Sequence, residues 1–123
     1  MKRQYDLEKR LITYACQMMT IVEKLPSTRA GNYVAGQLIR SGNSPAFNYA
    51  EAQSAESRKD FIHKLKVVLK ELKECRVALT ITQEKGMVDA DILGEQLKET
   101  EELIAIIAKS IDTAGKNGGK VVN

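Results

Sequence analysis

A repeating apolar pattern in the middle of the chain is the strongest constraint on its fold. Side chains that recur at alternating intervals of four and three residues lie on one face of an α-helix, whereas a half-buried strand would alternate at every second residue. A helix with one such apolar stripe has to bury it against other helices, so the pattern predicts a helical bundle. The residues recur at alternating intervals of four and three: Phe61, Leu65, Val68, Leu72, Cys75 and Leu79.

Two further segments have a similar helical spacing and extend the prediction toward both ends of the chain. In the second of them, Thr100 occupies one position of the apolar stripe. The first helix is expected from about Tyr5 to Lys24, ahead of Pro26, and the fourth helix is expected to begin at Asp89. Their apolar stripes are Leu7, Leu11, Ala15, Met18, Val22 and Leu25 in the first helix, and Leu93, Leu97, Ile104, Ile107 and Ile111 in the fourth.

The second helix is predicted from Ser27 or Thr28 to about Ala52, with Pro45 inside it. A proline removes a backbone hydrogen bond and costs about 3 kcal/mol in a regular helix interior. We therefore expect a kink near Pro45, beginning at about Gly42. Two shorter helices that meet at this point are the alternative.

The connections between the predicted helices are short. Ser57 is placed to cap the start of the third helix, and Gly86 to end it in a left-handed conformation. Short connections make neighbouring helices antiparallel. We predict an all-α, antiparallel up-down-up-down four-helix bundle over residues 1–114 of the 123-residue chain, followed by a flexible tail over residues 115–123.

Composition argues against several classes of function. The chain has two cysteines and one histidine, too few for a disulfide framework or an ordinary zinc site, so we expect no metal and no cofactor. Cys16 and Cys75 are predicted to be small core residues. The first ten residues are highly charged, and no apolar run approaches membrane-spanning length. We expect a cytoplasmic protein without a membrane partner.

A polar stripe interrupts the second helix. Ser41, Ser44, Asn48 and Glu51 are spaced by three, four and three residues and share one helix face. Buried polar groups have to be hydrogen-bonded, so the stripe is predicted to fix how this helix packs, with Arg40, Arg58 or a backbone group as partner of Glu51. A polar pocket with Glu51 as a catalytic acid or base is the alternative. No second carboxylate, histidine or nucleophile stands at a fixed spacing from Glu51, which disfavours an enzyme.

A cationic row follows the outer face of the third helix, opposite its apolar stripe. The row comprises Lys59, His63, Lys66, Lys70 and Lys73. Such a row is either a solvated helix face or a ridge that contacts phosphates. No aromatic residue is interleaved with these lysines, so the row by itself does not indicate stacking of single-stranded bases. On the fourth helix, Ile92, Leu103 and Ile106 widen the apolar face beyond one stripe, which indicates a contact between subunits.

Residues 37–88 resemble a known family, the bacterial four-helix-bundle proteins encoded by intervening sequences of 23S ribosomal RNA genes. Two positions depart from the family pattern: Ala52 replaces a usual glycine, and the usual proline falls one position after Pro45. The matching residues are Gln37, Leu38, Arg40, Ser44, Asn48, Ala50, Glu51, Ser57, Asp60, Phe61, Leu65, Glu71 or Glu74, and Gly86.

The resemblance implies a cyclic homo-oligomer, typically a pentamer. It also implies a relationship to the accessory protein of diversity-generating retroelements, which binds nucleic acid and a reverse transcriptase. Our hypothesis is a non-enzymatic oligomeric adaptor that binds DNA or RNA without sequence preference, with a possible protein partner. The alternative is a structural or regulatory protein–protein interaction module whose surface charge serves solubility.

Overall fold

The computed structural model describes the backbone of residues 2–121 and the side chains of residues 7–116. This part of the chain forms four α-helices and contains no strand. The all-α prediction is therefore confirmed. The helices are α1 (Lys2–Val22), α2 (Arg29–Gln53), α3 (Arg58–Lys85) and α4 (Ala90–Val121).

The helices are arranged as an antiparallel bundle, as predicted. Helix α2 packs closely against α1 and α3, and α3 also packs against α4. Helices α1 and α4 approach each other at fewer positions and are joined mainly through long side chains. The connections between consecutive helices are four to six residues long. Such short connections leave each helix no alternative to running back along its predecessor.

Capping interactions define the helix ends that the sequence predicts. The Thr28 hydroxyl accepts a hydrogen bond from the Gly31 amide at 3.0 Å, and the Ser57 hydroxyl accepts one from the Asp60 amide at 3.1 Å. Each satisfies a backbone donor that has no partner within its helix. Gly86 ends α3 with φ of 70°, a left-handed conformation that glycine adopts without steric cost.

Helix α2 continues through Pro45 as a single helix, so the alternative of two shorter helices is wrong. The kink near Pro45 stays a prediction. Helix α4 extends to Val121, beyond the predicted end of the bundle at Ala114. The flexible tail was predicted for residues 115–123. Most of their side chains lie outside the described residues, so the flexibility stays a prediction.

The core is built from the predicted apolar stripes. Of the six stripe residues of α3, Leu65, Val68, Leu72, Cys75 and Leu79 are fully buried, and Phe61 is partly buried. The prediction that Cys16 is a core residue is wrong, because its side chain is exposed. Its position beside the α1 stripe turns the thiol outward while its neighbour Ala15 faces the core.

A polar contact lies inside this core. Tyr14 is fully buried, and its hydroxyl lies 2.6 Å from the hydroxyl of Thr100. The Thr100 hydroxyl donates to the carbonyl of Gln96 at 2.8 Å, so the Tyr14 hydroxyl is the donor to Thr100. Burial raises the pKa of Tyr14, and burial also raises the pKa of Cys75 to about 12. Both side chains therefore stay protonated and neutral at ordinary pH, and the contact ties α1 to α4.

The broad apolar face of α4 is mostly covered within the protomer. Leu103 is fully buried and Ile106 is partly buried, which leaves Ile92 as the exposed member at 36%. Most of the apolar surface that predicted a subunit contact at α4 is therefore buried within the protomer. The other exposed large apolar residues lie on the remaining helices: Ile12, Met19, Tyr33, Ile39, Phe47, Val77 and Ile81.

Gly42 permits the close approach of α1 and α2, which generates a stability prediction. A Cβ atom at Gly42 would lie 2.7 Å from Cβ of Met18, an atom fixed to the α1 backbone. Gly42→Ala should therefore force the helices apart and destabilise the protein by about 1–3 kcal/mol. Urea denaturation followed by circular dichroism measures this difference.

Gly36→Ala is the matched control on the same helix, because a Cβ atom there meets nothing within 4 Å. Replacing a helical glycine at an open position should stabilise the protein by about 0.5–1 kcal/mol. Substitutions with equal effects at the two sites would contradict the packing of Gly42 on Met18.

Candidate nucleic-acid interface

The predicted cationic row is exposed along α3. Lys59, His63, Lys66, Lys70 and Lys73 all lie at the surface. With a rise of about 1.5 Å per residue, the row is about 21 Å long. Lys70 Nζ lies 3.9 Å from Glu71 Oε2, and no other member has an ion-pair partner among the residues whose side chains are described. The row therefore presents largely unneutralised positive charge.

Two arginines of the bundle are neutralised locally by carboxylates of α4. Arg10 binds Glu99 through two hydrogen bonds, of 2.7 and 2.8 Å, and Glu102 through one of 2.6 Å. The hydrogen bond to Glu99 is the largest cause of a raised pKa at Arg10. Arg76 Nη1 lies 3.1 Å from Glu101 Oε1. These three carboxylates are therefore not available to neutralise the α3 row.

An open groove runs between α2 and α3 beside this row. Its volume is about 670 Å³. Lys66, Lys70 and Lys73 line it from α3, together with exposed apolar side chains farther along the same helix. Tyr33 and Gln37 line it from α2. The proximity of Tyr33 to these lysines could not be read from the sequence, because the aromatic residue and the lysines lie on different helices.

The polar stripe of α2 is split between two environments. Ser41 is buried, and its hydroxyl lies 3.5 Å from Glu74 Oε1 on α3. Asn48 donates to the Ser44 hydroxyl at 2.8 Å and to the Ser44 carbonyl at 3.0 Å. Ser41 thus links α2 to α3, whereas Ser44 and Asn48 satisfy each other within α2.

Glu51 has a different partner from those that the sequence analysis considered. Its carboxylate forms an ion pair with Lys64 of α3, and its side chain is 58% exposed. Arg58 instead donates to the carbonyl of Ala114 at 3.4 Å, and Arg40 faces two other carboxylates. Glu51 therefore joins α2 to α3 at the surface, and it does not line an enclosed polar pocket.

Glu71 is a buried carboxylate that the sequence analysis did not place in a site. The residue is 7% exposed, and its Oε1 atom is buried without a hydrogen-bond partner among the described residues. Arg40 Nη1 lies 3.6 Å from that atom and Lys70 Nζ lies 3.9 Å from Oε2, so the charge is compensated by ion pairs alone. Its spacing of three residues from Val68 and four from Cys75, both buried, is the sequence signal for its burial.

No group of three or more metal-binding side chains occurs among the residues for which side chains are described. None of the helices in that part of the chain combines the length and apolar character that crossing a lipid bilayer requires.

Comparison with known families shows the family to which the chain belongs. The sequence model of the family described as 23S rRNA-intervening sequence protein matches residues 3–109. The chain belongs to this family. The resemblance found in residues 37–88 is thereby confirmed, and the family match extends it to residues 3–109.

A solved structure has the same fold as this chain. It is the crystal structure, at 1.70 Å resolution, of a protein with unknown function from the S23 ribosomal protein family of Bacteroides thetaiotaomicron VPI-5482. The two structures superpose with a TM-score of 0.80 at 24% sequence identity, over 85% of this chain and 97% of the other. At this identity the likeness concerns the fold alone. A comparison with curated proteins finds no match.

The compensation of Glu71 by Arg40 generates a prediction for this family member. Arg40→Ala should destabilise the protein by about 1–2 kcal/mol, because it leaves a buried carboxylate without its closest cation. The cost stays moderate because Arg40 itself is 56% exposed. In a Glu71→Leu background the same substitution should cost less than half as much, as measured by urea denaturation.

Glu101→Ala is the control, because that carboxylate also pairs with an arginine, Arg76, but is 55% exposed. Its loss should change stability by less than about 0.5 kcal/mol. An Arg40→Ala cost that is the same with and without Glu71 would show that the two residues are not coupled.

Proposed function

We propose that the protein is a non-enzymatic adaptor that binds DNA or RNA without sequence preference through the cationic row of α3. The observation that carries this proposal is the exposure of all five side chains on one helix face, where Lys70 alone has an ion-pair partner among the residues whose side chains are described. Lysines arranged in this way displace the counterions that surround a polynucleotide. This contribution depends on phosphate charge and not on base sequence.

The types of side chain in the row explain why the binding is sequence-tolerant. Lysine contacts phosphate as a point charge, whereas reading bases requires side chains that present a fixed hydrogen-bonding pattern to base edges. Arg40, which contacts the groove residues Gln37 and Glu74, is also engaged by Glu71. It is therefore held against the protein rather than directed toward a base.

The proposal includes a homo-oligomer, a pentameric ring as the family resemblance implies, in the cytoplasm. Four large apolar side chains of α1 and α2 support self-association: Ile12, Met19, Ile39 and Phe47 are between 41% and 70% exposed. Their burial between copies would remove apolar surface from water. A ring would also repeat the cationic row, which raises the avidity for one polynucleotide.

The non-enzymatic part of the proposal rests on Glu51. It is the carboxylate that the sequence analysis considered as an acid or base. Its ion pair with Lys64 and its exposed position suit a structural link between helices. The proposed binding function requires no metal or cofactor.

A second candidate function is a protein–protein interaction module without a nucleic-acid role. The exposure of Phe47 at 70% and Ile39 at 46% on one helix favours it, because α2 would then carry a docking face for another protein. In that case the lysines of α3 would serve solubility.

Charge reversal within the row tests the main proposal. Lys66→Glu, Lys70→Glu and Lys73→Glu in one chain should weaken binding of a labelled 20-nucleotide oligomer at least tenfold, measured by fluorescence anisotropy at low salt. The dependence of log K on log salt concentration should become shallower by about two to three units, because three phosphate contacts are lost. Circular dichroism should show unchanged helicity.

A triple variant at Lys24, Lys98 and Lys109 is the matched control, because these lysines are exposed and lie outside the row and the groove. Each Lys→Glu change lowers the charge by two, so both triple variants go from +3 to −3. The control should keep most of the affinity. If the unaltered protein binds neither DNA nor RNA at low salt, the nucleic-acid proposal is wrong and the second candidate gains.

The subunit number is measured by size-exclusion chromatography with light scattering, before and after nuclease treatment. The protomer mass is 13.7 kDa, so a nuclease-resistant particle of about five times that mass is expected from the proposed ring. Phe47→Asp and Ile39→Asp should reduce the mass. A monomer at micromolar concentration would contradict the proposal of self-association.

A further inference from the structure

Tyr33 is an exposed aromatic side chain with no assigned role. It is 69% exposed on α2, and its hydroxyl has no hydrogen-bond partner within the described part of the chain. It lines the groove that Lys66, Lys70 and Lys73 line from α3. The antiparallel packing of α2 on α3 therefore supplies the aromatic neighbour that the cationic row lacks in the sequence.

The residues around Tyr33 make an apolar platform. Val77 and Ile81 line the same groove and are 57% and 52% exposed. Exposed side chains of this size are costly to leave in water when they lie together. The apolar end of the groove carries the aromatic ring, and the lysines occupy the other end of its α3 side.

We propose that this groove binds a single-stranded segment of DNA or RNA, with phosphates along Lys66, Lys70 and Lys73 and a base stacked on Tyr33. The inference rests on the proposed nucleic-acid function and specifies the strand state that it recognises. A cationic groove with an aromatic platform is the arrangement by which proteins hold single strands without reading sequence. The bases of a duplex are stacked on each other and cannot cover the Tyr33 ring.

Charge favours a polynucleotide over a second copy of this chain as the occupant. The groove has three lysines against one carboxylate, Glu74. The acidic helix of another copy would be α4, but its Glu99, Glu101 and Glu102 already bind Arg10 and Arg76 within their own protomer. A polyphosphate backbone has no such internal partners.

Tyr33 substitutions separate stacking from charge. Fluorescence anisotropy is measured with a labelled oligothymidylate strand and with a duplex of equal length. Tyr33→Ala should weaken single-strand binding by about five- to one-hundredfold, and Tyr33→Phe should preserve it because the ring remains. Duplex binding should not change. Asn32→Ala removes an exposed side chain of α2 next to Tyr33 but outside the groove and should leave single-strand binding unchanged.

A direct spectroscopic test uses the absence of tryptophan from the chain. Tyr33→Trp introduces a single indole at the platform, and its fluorescence should be quenched when the oligothymidylate binds. Lys98→Trp provides the same reporter at an exposed position of α4 outside the groove and should show no quenching. Quenching at position 33 identifies base stacking, which a merely structural role of Tyr33 would not produce.

The outcomes distinguish this inference from the function on which it rests. Loss of all nucleic-acid binding in the unaltered protein would overturn both. Equal affinity for single strands and duplexes, with no effect of Tyr33→Ala, would overturn the inference and leave the proposed function intact. A change of oligomeric mass in Tyr33→Ala, without a change in single-strand affinity, would show that the groove is a contact between copies and would also overturn it.

Discussion

The antiparallel packing of α2 on α3 is the interaction on which the rest of the structure depends. Its contacts run along the length of the pair, from Ser41 with Glu74 to Glu51 with Lys64. Helix α3 is also the helix on which α4 packs, so its fully buried stripe is shared by both neighbours. Any change in the register of α2 on α3 would alter the groove, the ion pair of Glu71 and the position of Tyr33 together.

The charges of the bundle fall into two groups with different physical roles. Arg10 and Arg76 tie α4 to its neighbours through carboxylates, and the bonds of Arg10 to Glu99 are partly shielded from solvent. Among the side chains that the structure describes, the lysines of the α3 row have no such partner apart from the 3.9 Å contact of Lys70 with Glu71. The first group stabilises the protomer, and the second leaves a positive potential at the surface.

Sequence reasoning succeeded where one periodic pattern decides the outcome. The α3 stripe from Leu65 to Leu79 is buried as the spacing predicts, and Ser57 and Gly86 cap that helix as expected. It failed where burial depends on a neighbour distant in sequence. Tyr14 was not in the predicted stripe, because its burial requires the hydroxyl of Thr100, 86 residues away, as a partner.

The candidate site shows the same division. The row from Lys59 to Lys73 follows directly from helical spacing, and the structure leaves all of its members exposed. The partner of Glu51 could not be chosen from sequence. Arg40, Arg58 and Lys64 could each reach its carboxylate, depending on the register of α2 on α3. Register is set by side-chain packing between helices, and the structure assigns Lys64.

The helical class, the capped helix ends at Thr28, Ser57 and Gly86, and the apolar face of each helix follow from the sequence, because these properties depend on residues within or next to a single helix. Which helices share a groove, which carboxylate becomes buried and which aromatic ring stands beside the lysines are set by the packing of the helices on one another. Those relations join residues of α2 and α3 that are more than thirty positions apart, and they follow from the packing of Arg40 and Ser41 against Glu71 and Glu74.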